Sequence, residues 1–258
     1  MTIYAVVNTK GGVGKTTTTV NLAAGLAKLD QRVLLVDLDP QGNATMGAGI
    51  NKSKLQASVY QVLLGMSDVK TAVVRSESGG FDVLPANREL AGAEVEMVEL
   101  ENRDKRLRIA LDEVGTNYDF ILIDCPPALS MLTLNGLCAA NGVVIPMQCE
   151  YYALEGLSDL ANTIKKVAAN LNPDLKIVGL LRVMFDPRMT LSQQVSDQLE
   201  QHFGDKVFKT LIPRNVRLAE APSYGIPGVV FDPASKGAQA YIAFGAEMVE
   251  RIKSLDKK

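Results

Sequence analysis

An apolar run, Ile3 to Asn8, leads directly into KGGVGKTT, Lys10 to Thr17, and this combination of residue types is suited to holding phosphate. Gly11, Gly12 and Gly14 let backbone N–H groups close around an oxyanion, while Lys15 and Thr16 open the following helix at its positive end. Lys15 is expected to reach the β and γ phosphates of a nucleotide, and Thr16 to offer its hydroxyl to Mg²⁺. The whole stretch, with Val13 and Thr17, is assigned to nucleotide binding. The usual pattern has glycine five residues before Gly14, whereas this chain has Thr9 there and a second lysine, Lys10. A lysine at the loop tip is badly placed for its own phosphates and well placed for a nucleotide held by a facing copy of the same chain.

Two further carboxylate segments complete the expected machinery. FILIDCPP ends a strand in Asp124, where a P-loop enzyme holds Mg²⁺, usually through water, and Pro126 and Pro127 force the chain out of the sheet. VLLVDLDPQGN carries Asp37 and Asp39, which share a face if the strand persists. Asp39 lies nearer the strand exit and is assigned to orienting or deprotonating the attacking water; Asp37 is assigned a structural role or one behind the metal. Lys15, Lys10 and Mg²⁺ would balance the charge of the transferred phosphoryl group.

These residues need a scaffold, and the order of elements supplies one. Val/Ile/Leu-rich runs at Ile3 to Asn8, Arg32 to Asp37, Phe81 to Leu84, Phe120 to Asp124, Val143 to Met147, Ile177 to Val183 and Val207 to Ile212 read as strands. They are apolar throughout, as in a parallel sheet covered on both faces. Helical spacing is found at Thr16 to Leu29, Glu89 to Val114, Leu154 to Asn170, Leu191 to Phe203 and about Ser235 to Ser254. The alternation predicts a doubly wound α/β fold of the P-loop type, a single domain over residues 1–258. The segment Ile50 to Gly80 reads as an irregular, mobile excursion near the mouth of the site.

Composition narrows the function classes. The chain has 258 residues, 47% of them hydrophobic, enough for one full core. No apolar run approaches the roughly 18 residues that span a bilayer, and the start lacks the pattern of an export signal, so a cytoplasmic, membrane-free protein is expected. The cysteines Cys125, Cys138 and Cys149 show no CxxC spacing, which fits neither zinc nor a disulfide framework. Cys125 reads as core and His202 as a surface residue. A net charge of −2 means that any nucleic-acid binding must come from a local patch or from its doubling in a dimer.

KGGVGKTTTTVNLA, VLLVDLDPQGNAT, FILIDCPP and LIPRNVRLAEAPSYGIP together resemble the ParA family of deviant Walker ATPases, in its short, Soj-like form, from Thr2 to about Glu250. The resemblance implies that Lys10 contacts nucleotide across a dimer, that Asp39 is the catalytic aspartate and that Asp124 is the Walker B residue. It implies that Pro213 and Asn215 hold the adenine and that Arg188 and Arg217 contact DNA, though by residue type alone both arginines are ordinary solvated loop charges. Met189 departs from the polar residue that relatives often carry after that first arginine. Implied partners are an ATP-dependent second copy, non-specific double-stranded DNA and a ParB-like centromere-binding protein, with a nucleoid-associated location. Because the chain begins at the first strand, no N-terminal DNA-reading domain is expected. Rival readings are a MinD-like membrane-cycling ATPase, disfavoured by the KSLDKK tail, an iron–sulfur carrier, disfavoured by where Cys125 lies, and a small-molecule ligase or kinase.

Overall fold

A computed structural model describes residues 2–151 and 153–255. Eight strands form one sheet: β1 (Thr2–Val6), β2 (Val33–Asp37), β3 (Val74–Ser76), β4 (Phe81–Leu84), β5 (Phe120–Asp124), β6 (Gly142–Met147), β7 (Lys176–Phe185) and β8 (Val207–Pro213). Their spatial order is β3-β4-β2-β5-β1-β6-β7-β8, and every pairing is parallel except β3 with β4. Strands β2, β5 and β6 are buried along their whole length, as their unbroken apolar runs require in a sheet covered on both faces.

The first six helices are α1 (Lys15–Ala27), α2 (Asn43–Gly47), α3 (Val59–Leu64), α4 (Val69–Ala72), α5 (Leu90–Glu96) and α6 (Arg106–Asp112). The rest are α7 (Met131–Ala139), α8 (Ala153–Asn170), α9 (Thr190–Phe203), α10 (Val216–Glu220), α11 (Gly228–Phe231) and α12 (Lys236–Leu255). Successive strand residues feed two cores. Ile3, Ala5, Ile121 and Ile123 meet α3 and α5 to α8 on one face, while Tyr4, Val6, Leu35 and Leu122 meet α1 and α12 on the other. Each fully buried Leu or Phe contributes about 1.5–3 kcal/mol of transfer free energy. The stripe Tyr241, Phe244, Met248 and Ile252 of α12 is buried in the second core. There α12 lies close against α1: a Cβ on Gly25 would sit 3.2 Å from the Tyr241 carbonyl oxygen, and the Thr18 and Tyr241 hydroxyls are 3.0 Å apart.

Three expectations are corrected. The helix expected over Glu89 to Val114 is broken between α5 and α6, where apolar spacing lapses in a charged run and Asn102 takes a left-handed φ of 54°. Asn135 of α7 bridges the gap, accepting from the Leu107 N–H and donating to the Arg103 carbonyl. The excursion expected at Ile50 to Gly80 is built into the fold: Val59, Val62, Leu63, Val69 and Ala72 are core residues. It also contains β3, an edge strand too short and too exposed to carry a pattern. Finally, β2 ends at Asp37, so Asp37 and Asp39 do not share a strand face. Cys125 is buried against Gly136 of α7, and His202 is exposed. Among the described residues no helix is long and apolar enough to cross a membrane. Of the KSLDKK tail, residues 256–258 lie outside the described residues.

Candidate nucleotide-binding and catalytic site

Beyond β1 the chain is tied to β6 by the Asn8 side-chain amide, which donates to the Pro146 carbonyl, and Asn8 Oδ1 accepts from the Lys10 N–H at 2.9 Å. Gly12 and Gly14 have φ of 73° and 78°, values open to glycine and costly for other residues, and Val13 plugs the loop into the protein. Helix α1 then starts on Gly14 with no side-chain cap and no acidic residue in its first turn. Its free N–H groups and positive dipole end therefore stand ready for an anion. Lys15 is 7% exposed, and its Nζ donates to the Lys10 carbonyl at 3.1 Å, wrapping the loop around itself. Burial pushes the Lys15 pKa down, opposed by the negative charges of Asp124 and Asp39. A buried ammonium with one neutral acceptor is poised for a stronger anionic partner.

The carboxylates come from β5, the neighbour of β1, and from β2 beyond it. Asp124 ends β5 and is fully buried; its two oxygens accept from Thr16 Oγ1 at 2.8 Å and Thr19 Oγ1 at 3.0 Å. Thr16, expected to serve Mg²⁺, thus touches the carboxylate expected to hold it. Thr19, one helical turn later, was not singled out from sequence, although the i, i+3 spacing of the two threonines was legible. Asp37 lies beside Asp124 in register and is also fully buried. Asp39 is partly exposed, and its Oδ1 accepts from the Gln41 N–H at 2.9 Å. Its charge is felt by both Lys15 and Asp124. Uncapped helix, left-handed glycines, buried lysine and threonine–carboxylate pair together fit a magnesium nucleotide. Thr16 and Asp124 would hold the metal directly or through water, and the phosphates would face the α1 N-terminus.

The remaining expected residues sit at the ends of the other strands. Pro213 ends β8, and Asn215 caps α10 by accepting from the Leu218 N–H at 3.3 Å. Both line a cavity of about 100 Å³ together with Gly14, Thr17, Val183 and Met184, so the proposed adenine contacts are brought beside the phosphate loop. Met184 has a left-handed φ of 50°, unusual for a non-glycine residue, and its Sδ accepts from Gln148; no sequence pattern pointed to either. Lys10 is half exposed, and its ammonium pairs with Glu150 at 2.6 Å instead of turning into its own cradle. Arg188 follows β7 and forms a two-pronged pair with Asp186, while Arg217 of α10 pairs with Glu220 and Asp232.

The buried acids have a consequence for pH. Burial raises the pKa of Asp37, and burial and then repulsion from Asp37 raise that of Asp124. A folded-state pKa above the unfolded one means that the folded protein binds more protons in between, so its stability falls as pH rises through that window. Three carboxylates nearer the surface, Asp68, Asp119 and Asp186, are instead lowered by hydrogen bonds and titrate beneath it. The melting temperature of the nucleotide-free protein should therefore fall between about pH 5 and pH 8. Asp124→Asn should flatten that slope, and an equally steep fall in the variant would mean that the ionisation of Asp124 is not its cause.

A family model described as an AAA domain matches residues 1–177. The sporulation initiation inhibitor protein Soj of Bacillus subtilis (strain 168) is 53% identical over 246 residues, covering 95% of this chain and 97% of that protein. The chromosome partitioning protein ParA of Myxococcus xanthus (strain DK1622) is 49% identical over 249 residues, 96% of this chain and 88% of that one. The chain belongs to the ParA/Soj family of chromosome-partitioning ATPases. A solved structure of cobyrinic acid a,c-diamide synthase from Mycobacterium smegmatis, with bound ADP and magnesium, superposes with a TM-score of 0.87 at 40% identity, covering 98% of this chain and 96% of that one. As a ParA/Soj ATPase the chain uses ATP and Mg²⁺, in agreement with the fit of its cradle and of the Thr16–Asp124 pair.

Proposed function

We propose that this ATPase is a DNA-partitioning switch: two copies closed on ATP bind double-stranded DNA without regard to sequence, and a ParB-like partner stimulates hydrolysis to release it. The observation that carries this reading is Lys10, which stands at the exposed loop tip with its ammonium turned away from its own cradle to Glu150. A lysine so placed can serve a nucleotide on a facing subunit once it leaves that carboxylate. Bound Mg²⁺ supplies charge neutralisation on the phosphoryl group. Lys15 compensates the β and γ phosphates, Thr16 and Asp124 hold the metal, Asp39 orients the water that displaces ADP, and Pro213 and Asn215 flank the base. The place of action is the cytoplasm, on nucleoid DNA.

Support for the DNA step comes from neighbouring strand ends. Arg188 follows β7 and Arg217 follows β8, and Arg214 between Pro213 and Asn215 lies close enough to Asp186 to stabilise its charged form. Asp186, Glu220 and Asp232 balance these three arginines locally, so phosphate would have to displace carboxylates, and the grip should be weak and sensitive to salt. A salt titration of DNA binding with a slowly hydrolysed ATP analogue tests this. Binding should require the analogue, and Arg217→Ala should lower the slope of log affinity against log salt by roughly 2, one contact from each subunit. No binding by the wild type at low salt would remove the DNA switch reading.

The structural neighbour's name raises an amide-synthase reading, which would need room for a corrin beside the γ phosphate. The cavity adjoining Thr16, Asn43 and Met46 measures about 220 Å³, below the roughly 300–1,000 Å³ usual for small-molecule sites. The partitioning reading is preferred on that ground, and the DNA titration separates the two.

A further inference from the structure

The segment from Leu38 to Ala44, a loop running into the first turn of α2, carries Asp39, and both its ends close on one buried carboxylate. Asp37 Oδ1 accepts from the Asp39 N–H at 3.1 Å, at the start of the loop. Asp37 Oδ2 accepts from the Thr45 N–H at 2.8 Å and from Thr45 Oγ1 at 2.7 Å, at its end. The Thr45 hydroxyl is in turn the acceptor for the Ala86 N–H at 2.9 Å, just past β4. One hydroxyl thus donates to the end of β2 and accepts from the end of β4, and Asp37 and Thr45 are both 0% exposed. Between the clasped ends the loop has little latitude. Gly42 has φ of 61°, and a Cβ there would lie 2.7 Å from the Ala86 carbonyl oxygen. Lys52 Nζ donates to the Gln41 carbonyl from outside.

We infer that Thr45, acting through Asp37, is a positioning residue for Asp39: the Asp37–Thr45–Ala86 clasp sets where the Asp39 carboxylate stands relative to Lys15 and Asp124. The inference rests on the proposed role of Asp39. None of the three clasp residues belongs to the phosphate loop, whose own ties run from Asn8 to β6, from Gly12 to Gln148 and through Thr16 to Asp124, and the Thr45 hydroxyl bonds to none of these. Loosening the clasp should therefore displace the water-orienting group and leave the nucleotide cradle intact. A displacement of about 1 Å of a catalytic group can cost about 100-fold in rate.

Thr45→Val keeps the shape and removes the hydroxyl, and Thr45→Ser keeps the hydroxyl. The expected result is a fall in kcat of about tenfold or more in Thr45→Val with ATP affinity within about threefold, and near wild-type kcat in Thr45→Ser. Amide hydrogen exchange on the nucleotide-free proteins supplies a readout independent of turnover. Exchange should quicken in residues 38–45 of Thr45→Val and stay unchanged in residues 11–17. Wild-type kcat in Thr45→Val overturns the inference, as does a joint loss of kcat, affinity and cradle protection, including failure to fold, since the hydroxyl would then be a general stability element. Asp39→Ala is measured alongside. If it turns over normally, the reading of Asp39 fails, and a slow Thr45→Val beside it overturns the clasp as a device acting on Asp39. Normal Thr45→Val beside an inactive Asp39→Ala overturns the clasp alone.

Discussion

Lys15→Ala is expected to abolish nucleotide binding at ordinary concentrations. The ammonium is buried in the cradle and held by a single carbonyl, so its removal costs the nucleotide-free protein little. With ATP the balance should reverse, because the two charge-assisted contacts proposed to the β and γ phosphates are lost. At about 1.5–3 kcal/mol each, affinity should fall by roughly 100-fold to 10⁴-fold. Calorimetric titration with ATP and Mg²⁺ measures this directly, with the melting curve as a check that the fold survives. Wild-type affinity in the variant would sink the placement of the phosphates.

Asp39→Ala should fail in the opposite way. The cradle, Lys15 and the Thr16–Asp124 pair are untouched, so ATP and Mg²⁺ should bind within a few-fold of wild type. On the proposed role the attacking water would lose its orienting carboxylate, and single-turnover hydrolysis should slow by about 10²–10⁴-fold, the usual worth of a general base. If Asp39→Ala hydrolysed ATP normally while Asp37→Ala folded and did not, the roles within this pair would be exchanged. The structure separates their surroundings: Asp37 accepts from three protein donors, whereas one Asp39 oxygen holds a single backbone N–H of its own turn.

The sheet was legible because its strands are short, apolar throughout and separated by helical spacing, a pattern that burial on both faces imposes. What escaped notice had no such imprint. Strand β3 carries one exposed valine and survives as an edge by pairing with β4, with Arg75 and Asp82 bridged across the pair. Helix α7 is largely buried, with its polar Thr133 and Asn135 inside, so it shows no exposed polar face to mark it as a helix. The phosphate loop and the strand-end aspartates could be placed from local spacing alone, since β1, β5 and β2 are neighbours in the sheet. Glu150 could not be foreseen as the partner of Lys10, because that pair joins loops 140 residues apart and depends on β1 and β6 lying side by side. Thr45 escaped for a related reason: its value lies in reaching Ala86, which no periodicity links to it.

The near contact of α1 with α12 through Gly25 makes the phosphate-holding helix an anvil instead of a lever. Main chain touches main chain there, the Thr18 and Tyr241 hydroxyls bolt the two helices together one turn from the loop, and Asn21 rivets α1 to α11 through the Val229 N–H. A helix so fixed cannot tilt or slide to report which nucleotide it carries without breaking a close-packed core. In the proposed switch the response to hydrolysis is therefore expected at parts held by exposed ion pairs: the Lys10 tip with Glu150 and the arginine turns beyond β7 and β8. Substitutions that widen the Gly25 crossing should consequently read as losses of stability, while tuning of the switch is confined to the rim.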